Sequence, residues 1–247
     1  MNNTYNLHRL LWLALDWLYP PVCAGCGRNG DRFCADCLAS VSVIQAPRCA
    51  FCGKRIANNQ YVCHDCSAVP VYFNAAAFWA EYGGTLREAI HALKYKQDFG
   101  LGDYFAVHLI NIICEKKWQF DLVMPVPLSH GRMKERGYNQ SVLLSRPVAR
   151  YFKTEHTTSS LLRVKETGTQ VNRTRIERDE YLKDAFSGNP AKLKGRRVLL
   201  VDDIITTGST INHCSKALVE AGATEVMAIS IAKTLRLSSS HSETAKI

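Results

Sequence analysis

The sequence predicts an α/β protein built on a parallel sheet and preceded by a small metal-stapled module, on three observations. A short apolar run, Val198-Leu199-Leu200-Val201, has the length and β-branching of a buried strand and leads into two adjacent carboxylates, Asp202 and Asp203. Strand-like and helix-like segments alternate from Val71 to Lys233, the order that a parallel sheet with crossover helices produces. Ahead of them, eight of the ten cysteines form four C-x-x-C pairs, a spacing that belongs to metal sites rather than to disulfides.

At the N-terminus, Leu10 to Leu18 is apolar but is interrupted by Asp16, and Pro20-Pro21-Val22-Cys23 is no small-residue cleavage site. Residues 1–22 are therefore expected to form an amphipathic helix packed on the protein itself, with contact to a membrane surface as the alternative. The run is too short to span a bilayer and no other stretch qualifies, so no transmembrane segment and a cytoplasmic location are expected.

Residues 23–70 hold the four pairs: Cys23/Cys26, Cys34/Cys37, Cys49/Cys52 and Cys63/Cys66. Each knuckle offers two thiolates at a tight turn, and two knuckles close a tetrahedral shell, so two structural zinc ions are expected. A sequential pairing joins the first two knuckles and the last two. An interleaved cross-brace, first with third and second with fourth, satisfies the same spacing. Cys114, in an apolar run, and Cys214, on a helical pattern, are expected in the core.

Residues 71–235 are expected to form the sheet domain. An extended apolar segment from Val71 to Tyr82 is broken by Gly83-Gly84. A helix follows with Leu86, Ile90 and Leu93 on one face and Arg87, His91 and Lys94 on the other, the second face expected to meet solvent. Asp121 to Pro127 is the next strand, and its loop, Leu128 to Asn139, carries Arg132, Lys134, Arg136, Gly137 and Tyr138. Ser141 to Tyr151 reads as a helix that Pro147 kinks or breaks. Thr154 to Ser187 is polar, basic and poorly periodic, as a mobile covering loop would be. After Thr210 a helix with Ile211, Cys214 and Leu218 on one face ends near Gly222, and Glu225 to Lys233 is a last strand. Residues 236–247 are expected to be a flexible tail.

Charge is unevenly spread. The net +9 comes almost wholly from residues 121–200, which hold 16 basic and 8 acidic side chains, so a phosphorylated or polyanionic partner suits that stretch.

Chemistry concentrates at Val198 to Thr210. The loop Thr206, Thr207, Gly208, Ser209 and Thr210 opens a helix, and small residues there present N–H groups and hydroxyls to an anion, with the helix dipole behind them. Carboxylates beside such a cradle repel a phosphate unless the ligand also brings hydroxyls or a metal. A ribose 5-phosphate meets both demands: the loop takes the phosphate, and Asp202 and Asp203 take the 2- and 3-hydroxyls or a magnesium ion. At these residues the chain resembles the type I phosphoribosyltransferases, which implies a ligand, phosphoribosyl pyrophosphate (PRPP) with Mg2+. It also implies that Arg136 and Gly137 grip the pyrophosphate and that Asp202, Asp203 and Arg136 serve catalysis.

The knuckles, Pro125-Val126-Pro127-Leu128, Arg136-Gly137-Tyr138-Asn139-Gln140 and VDDIITTGST together resemble the ComF family of competence and DNA-utilisation proteins, including its double-zinc-ribbon members of GntX type. Arg173 and Tyr181 depart from that family's pattern. The resemblance implies a PRPP-binding domain that assists uptake or utilisation of external DNA at the cytoplasmic side, with single-stranded DNA and DNA-uptake machinery as partners. Tyr138, Tyr151 and Phe152, lying among the cations, are candidates for base stacking. A nucleotide-salvage transferase and a non-enzymatic DNA-handling adaptor are the competing functions.

Overall fold

The apolar strands found in the sequence assemble side by side, all in one direction, in a computed structural model that describes residues 20–45, 47–57, 60–68, 70–165 and 182–235. Residues 1–19 of the expected N-terminal helix, the expected tail at 236–247, and Gln170, Arg173, Arg175, Arg178 and Tyr181 of the expected covering loop lie outside these residues.

Among the described residues the main sheet has five strands. Strand Ala75–Glu81 (β1) pairs with Glu225–Lys233 (β7), β7 with Arg197–Ile205 (β6), β6 with Leu122–Pro125 (β2), and β2 with Glu155–His156 (β3), every pair parallel. A small antiparallel pair, Leu161–Arg163 (β4) with Phe186–Gly188 (β5), stands apart. The central strands are buried on both faces, as near-continuous apolar runs must be. In β6, Leu199 and Val201 face one core while Val198 and Leu200 face the other.

Seven α-helices stand among the described residues. Ala35–Ala39 (α1) belongs to the cysteine module. Gly84–Tyr95 (α2), Gly100–Lys116 (α3) and Gln140–Phe152 (α5) cover one face through Leu86, Leu93, Phe105, Leu109, Leu144 and Val148. His130–Arg136 (α4) lies in the loop after β2, and the turn Pro190–Leu193 (α6) precedes β6. Ser209–Glu220 (α7) covers the opposite face with Ile211, Cys214 and Leu218.

Four expectations change. Helix α5 runs through Pro147 without ending, so the proline sits inside it. Strand β6 continues past the carboxylates to Ile205, because Ile204 and Ile205 still pair with β7. Cys114 is exposed on α3, where Leu109, Ile110 and Ile113 are the residues turned inward, whereas Cys214 is fully buried as expected. Part of the stretch between Thr154 and Ser187 is ordered as β3, β4 and β5.

The proline has a packing consequence. Lacking an N–H, Pro147 leaves the Leu143 carbonyl without its helical partner. On the facing helix α3, a Cβ added at Gly102 would lie 2.7 Å from that oxygen and 2.7 Å from the Leu143 Cβ. Gly102 is therefore the residue that lets α3 and α5 touch. Gly102→Ala is expected to destabilise the fold by about 1–3 kcal/mol, the usual cost of overpacking, measured as a lower urea midpoint with an unchanged slope.

Candidate functional site: two zinc tetrads and a phosphate loop

The cysteines gather as two separate tetrads, Cys23, Cys26, Cys34 and Cys37, and Cys49, Cys52, Cys63 and Cys66, with the sulfur atoms of each within 4.8 Å of one another. The pairing is thus sequential, and the interleaved alternative falls. Within the tetrads Cys23 and Cys37 stand 3.6 Å apart, Cys26 and Cys34 3.7 Å, and Cys52 and Cys63 3.6 Å. A zinc ion with Zn–S bonds of about 2.3 Å separates its sulfurs by about 3.8 Å, so both tetrads fit the ion. Burial works to raise the Cys23 thiol, but backbone N–H groups of Cys34, Cys26 and Gly25 outweigh it and bring the pKa to about 6. The same contest, won by backbone groups of Cys52, Cys63 and Phe51, brings Cys49 to about 7.

The ribbons sit on opposite faces of the sheet. Cys23, Phe33, Cys34 and Cys37 join the core under α2 and α3, while Cys49, Phe51, Cys63 and Cys66 join the core under α7. Between them the chain crosses the sheet edge, where Glu81 N donates to Ser42 O and Ile44 N to Trp79 O.

The loop of residues 206–210 lies where parallel strands end, the usual ligand side of such sheets. Thr206 is exposed, Thr207 and Thr210 are half-buried, and Gly208 and Ser209 are buried. Gly208 takes φ of +74° to start α7, a conformation that favours glycine. Thr207 Oγ1 donates to Ser209 Oγ at 3.3 Å.

Beside the loop, the acids enter one network. Asp203 is 3% exposed; Lys94 Nζ lies 2.6 Å from its Oδ2 and Gln140 Nε2 donates to its Oδ1 at 2.9 Å. Asp202 accepts from Ser141 Oγ and from the Asp203 N–H, both at 2.9 Å. Burial, and then the neighbouring Asp203, push the Asp202 carboxyl well above the usual range. For Asp203, burial opposes ionisation but the Lys94 charge and the bonds from Lys94 and Gln140 overcome it, and its pKa falls. The surroundings thus favour the charge on Asp203 and disfavour it on Asp202.

Arg136 is buried rather than presented to solvent. Its guanidinium donates to Gln140 Oε1 at 2.7 Å and to Tyr95 OH at 3.0 Å, and lies 4.8 Å from the Tyr95 ring centre. Gly137 ends α4 with φ of +76°, and its N–H donates to Met133 O. Asp202, Asp203, the loop and Arg136 are thus brought together, Arg136 through Gln140. Lys94, Tyr95, Gln140 and Ser141 were missed as site residues; Gln140 closes the Arg136–Gln140 segment, and Lys94 looked like one more cation on a solvated face.

Of the aromatics expected to stack bases, Tyr138 donates its OH to Leu93 O and packs against Phe99, and Phe152 packs against Phe120. Tyr151 is exposed, as are Tyr95 and Phe99. Among the described residues no helix is long and apolar enough to cross a membrane.

A double zinc ribbon set on a phosphoribosyltransferase-type sheet is the class that this fold and site define, and family models agree. One for the double zinc ribbon domain matches residues 14–67, and one for the phosphoribosyl transferase domain matches residues 139–246. Competence protein F of Haemophilus influenzae is 32% identical over 219 residues, covering 86% of this chain and 90% of the relative. DNA utilization protein YhgH of Escherichia coli K12 is 28% identical, covering 76% and 84%, and competence protein ComFC of Streptococcus pneumoniae 29%, covering 83% and 90%. The chain belongs to the ComF family of competence and DNA-utilisation proteins.

Purified protein is expected to carry two equivalents of zinc, and Cys23→Ser to carry one, read by metal analysis. One equivalent in the parent protein would contradict the two tetrads.

Proposed function

We propose that the chain binds PRPP, or ribose 5-phosphate, with magnesium at the end of β6 and serves the uptake or utilisation of external DNA at the cytoplasmic side. One observation carries the ligand: two adjacent carboxylates, held by Lys94, Gln140 and Ser141, stand beside a small-residue loop that opens a helix. The loop from Thr206 to Thr210 supplies N–H groups and hydroxyls to the phosphate, and the α7 dipole favours its charge. Asp202, half-buried beside the loop, takes one ribose hydroxyl, while Asp203 takes the other. Lys94 keeps Asp203 ionised in buried surroundings. Arg136 orients Gln140 against Asp203, and the exposed Arg132 and Lys134 on α4, with Gly137 at its end, face the leaving pyrophosphate. Magnesium, when bound, would neutralise pyrophosphate charge. Catalysis in this arrangement is positioning and electrostatic stabilisation.

The DNA role is supported by the competence and DNA-utilization relatives and by the basic stretch from Asp121 to Leu200. Tyr151, Tyr95 and Phe99 are exposed aromatics that could stack unpaired bases.

Calorimetry is expected to find magnesium-dependent PRPP binding that Asp202→Asn with Asp203→Asn reduces at least tenfold, about 1.4 kcal/mol; unchanged affinity in the double variant would refute the assignment. Measured pyrophosphate release with free bases, and with single-stranded DNA, separates a salvage transferase from a DNA-directed one. Affinity for a short oligonucleotide should fall steeply with salt and exceed that for duplex. Equal affinity for the two, or none at low salt, would remove single-stranded DNA from the function.

A further inference from the structure

Lys233, the last residue of β7, is fully buried at the end of an apolar strand. Its ammonium donates to three backbone carbonyls: Phe51 at 3.2 Å, Thr234 at 3.0 Å, and Thr206. Thr206 begins the phosphate loop. Phe51 lies between the second-tetrad ligands Cys49 and Cys52. One side chain therefore ties a zinc knuckle to the loop.

Three further contacts repeat the connection. A Cβ added at Gly208 would lie 2.7 Å from the Ala50 carbonyl oxygen and 2.7 Å from Phe51 Cδ1, so the knuckle lies directly against the loop. One added at Gly53 would lie 3.0 Å from Leu235 Cα, seating the same knuckle on the chain beyond β7. Asn212, in the first turn of α7, donates to Pro70 O at 2.9 Å and accepts from Tyr72 N at 3.0 Å, holding the segment that leaves the ribbon. The first ribbon touches different elements. Thr85 Oγ1 donates to Cys37 O, Arg32 pairs with Asp98, and Phe33 packs on Tyr104 and Phe105.

We propose that Lys233 is a positioning residue that couples the second zinc site to the phosphate loop, so that the metal of the Cys49–Cys66 tetrad sets the loop's shape while that of the Cys23–Cys37 tetrad does not. The metal fixes the knuckle, the knuckle fixes the Phe51 carbonyl, and Lys233 carries that constraint to Thr206. The ligand side of the inference rests on the phosphoribosyl site proposed above. Coupling between two sites is reciprocal, so a ligand in the loop must in turn strengthen zinc retention at the second tetrad.

The test uses the full-length zinc protein with Lys233→Met, Cys63→Ser and Cys26→Ser, and reads amide exchange by mass spectrometry. Lys233→Met should keep two zinc equivalents while exchange at Thr206 to Thr210 quickens about tenfold or more. Cys63→Ser should quicken the same segment, and Cys26→Ser should instead quicken α2 and the start of α3. Saturating PRPP should slow chelator removal of one of the two zinc ions, and Lys233→Met should abolish that protection. Native exchange of the loop in Lys233→Met, or equal loop disturbance by the two cysteine variants, would overturn the coupling. Should Lys233→Met fail to fold, the cysteine pair decides alone. Should PRPP fail to bind the parent protein, the proposed ligand falls, and the exchange comparison still decides whether metal and loop are linked.

Discussion

The strand at the edge of the main sheet is the constraint on which the rest of the molecule depends. Strand β1 is buried on both faces, yet it has a sheet neighbour on one side only. An exposed apolar edge of this kind invites pairing with other chains and leaves backbone groups unsatisfied. The cysteine module solves the problem with three pieces. The first ribbon joins the core on one side of the sheet, the second joins the core on the other, and the crossing segment from Ser42 to Ile44 bonds to the edge itself. Structural zinc contributes about 10–16 kcal/mol of apparent binding energy in small zinc peptides, against a whole-domain stability of about 5–15 kcal/mol. On that scale the cover, and hence the order of the edge strand, depends on metal.

The second demand is electrostatic. Two adjacent carboxylates cannot both ionise in a buried site without compensation. The chain resolves this by asymmetry: Asp203 receives Lys94 and Gln140, which favour its charge, and Asp202 receives only a hydroxyl and an N–H. Arg136 enters at one remove, polarising Gln140 from the side away from Asp203. A chain of cation, amide and carboxylate fixes geometry better than a cation set directly on the carboxylate, because the planar amide orients both ends. The same arrangement explains why Arg136 is buried while the other cations of α4 remain exposed.

Features with local spacing were legible in the sequence. The C-x-x-C pairs, the acids followed by a small-residue loop, and the apolar strands each carry their signal within about a dozen residues, the range over which periodicity and turn chemistry operate. Partners brought from afar were not. Lys94 meets Asp203, and Lys233 meets Phe51, only because parallel strands align their ends on one side of the sheet. Helical periodicity placed Lys94 on a solvated face and says nothing of a strand end lying over it. Lys233 carried a faint signal, a lysine closing an otherwise apolar strand, but composition alone cannot distinguish a buried ammonium from one at the surface. Cys114 shows the converse error: an apolar neighbourhood in sequence is no guide to one residue's side of a helix. Tyr138 and Phe152 likewise sit among cations in sequence yet spend their rings on packing.

Because the ribbons lie on opposite faces, they brace different halves of the site. The first ribbon holds the start of α2 through Thr85 and the α2–α3 turn through Arg32 and Asp98, and α2 is the helix that delivers Lys94 to Asp203. The second holds the loop through Gly208 and Lys233. A ligand spanning carboxylates and loop would therefore draw on both supports at once. Duplicate knuckles that merely stabilised a fold could be stacked together on one surface. Placing one behind the charge that balances the carboxylates, and the other behind the loop, makes the separation between those two groups a property of the metal-bound module rather than of the sheet alone.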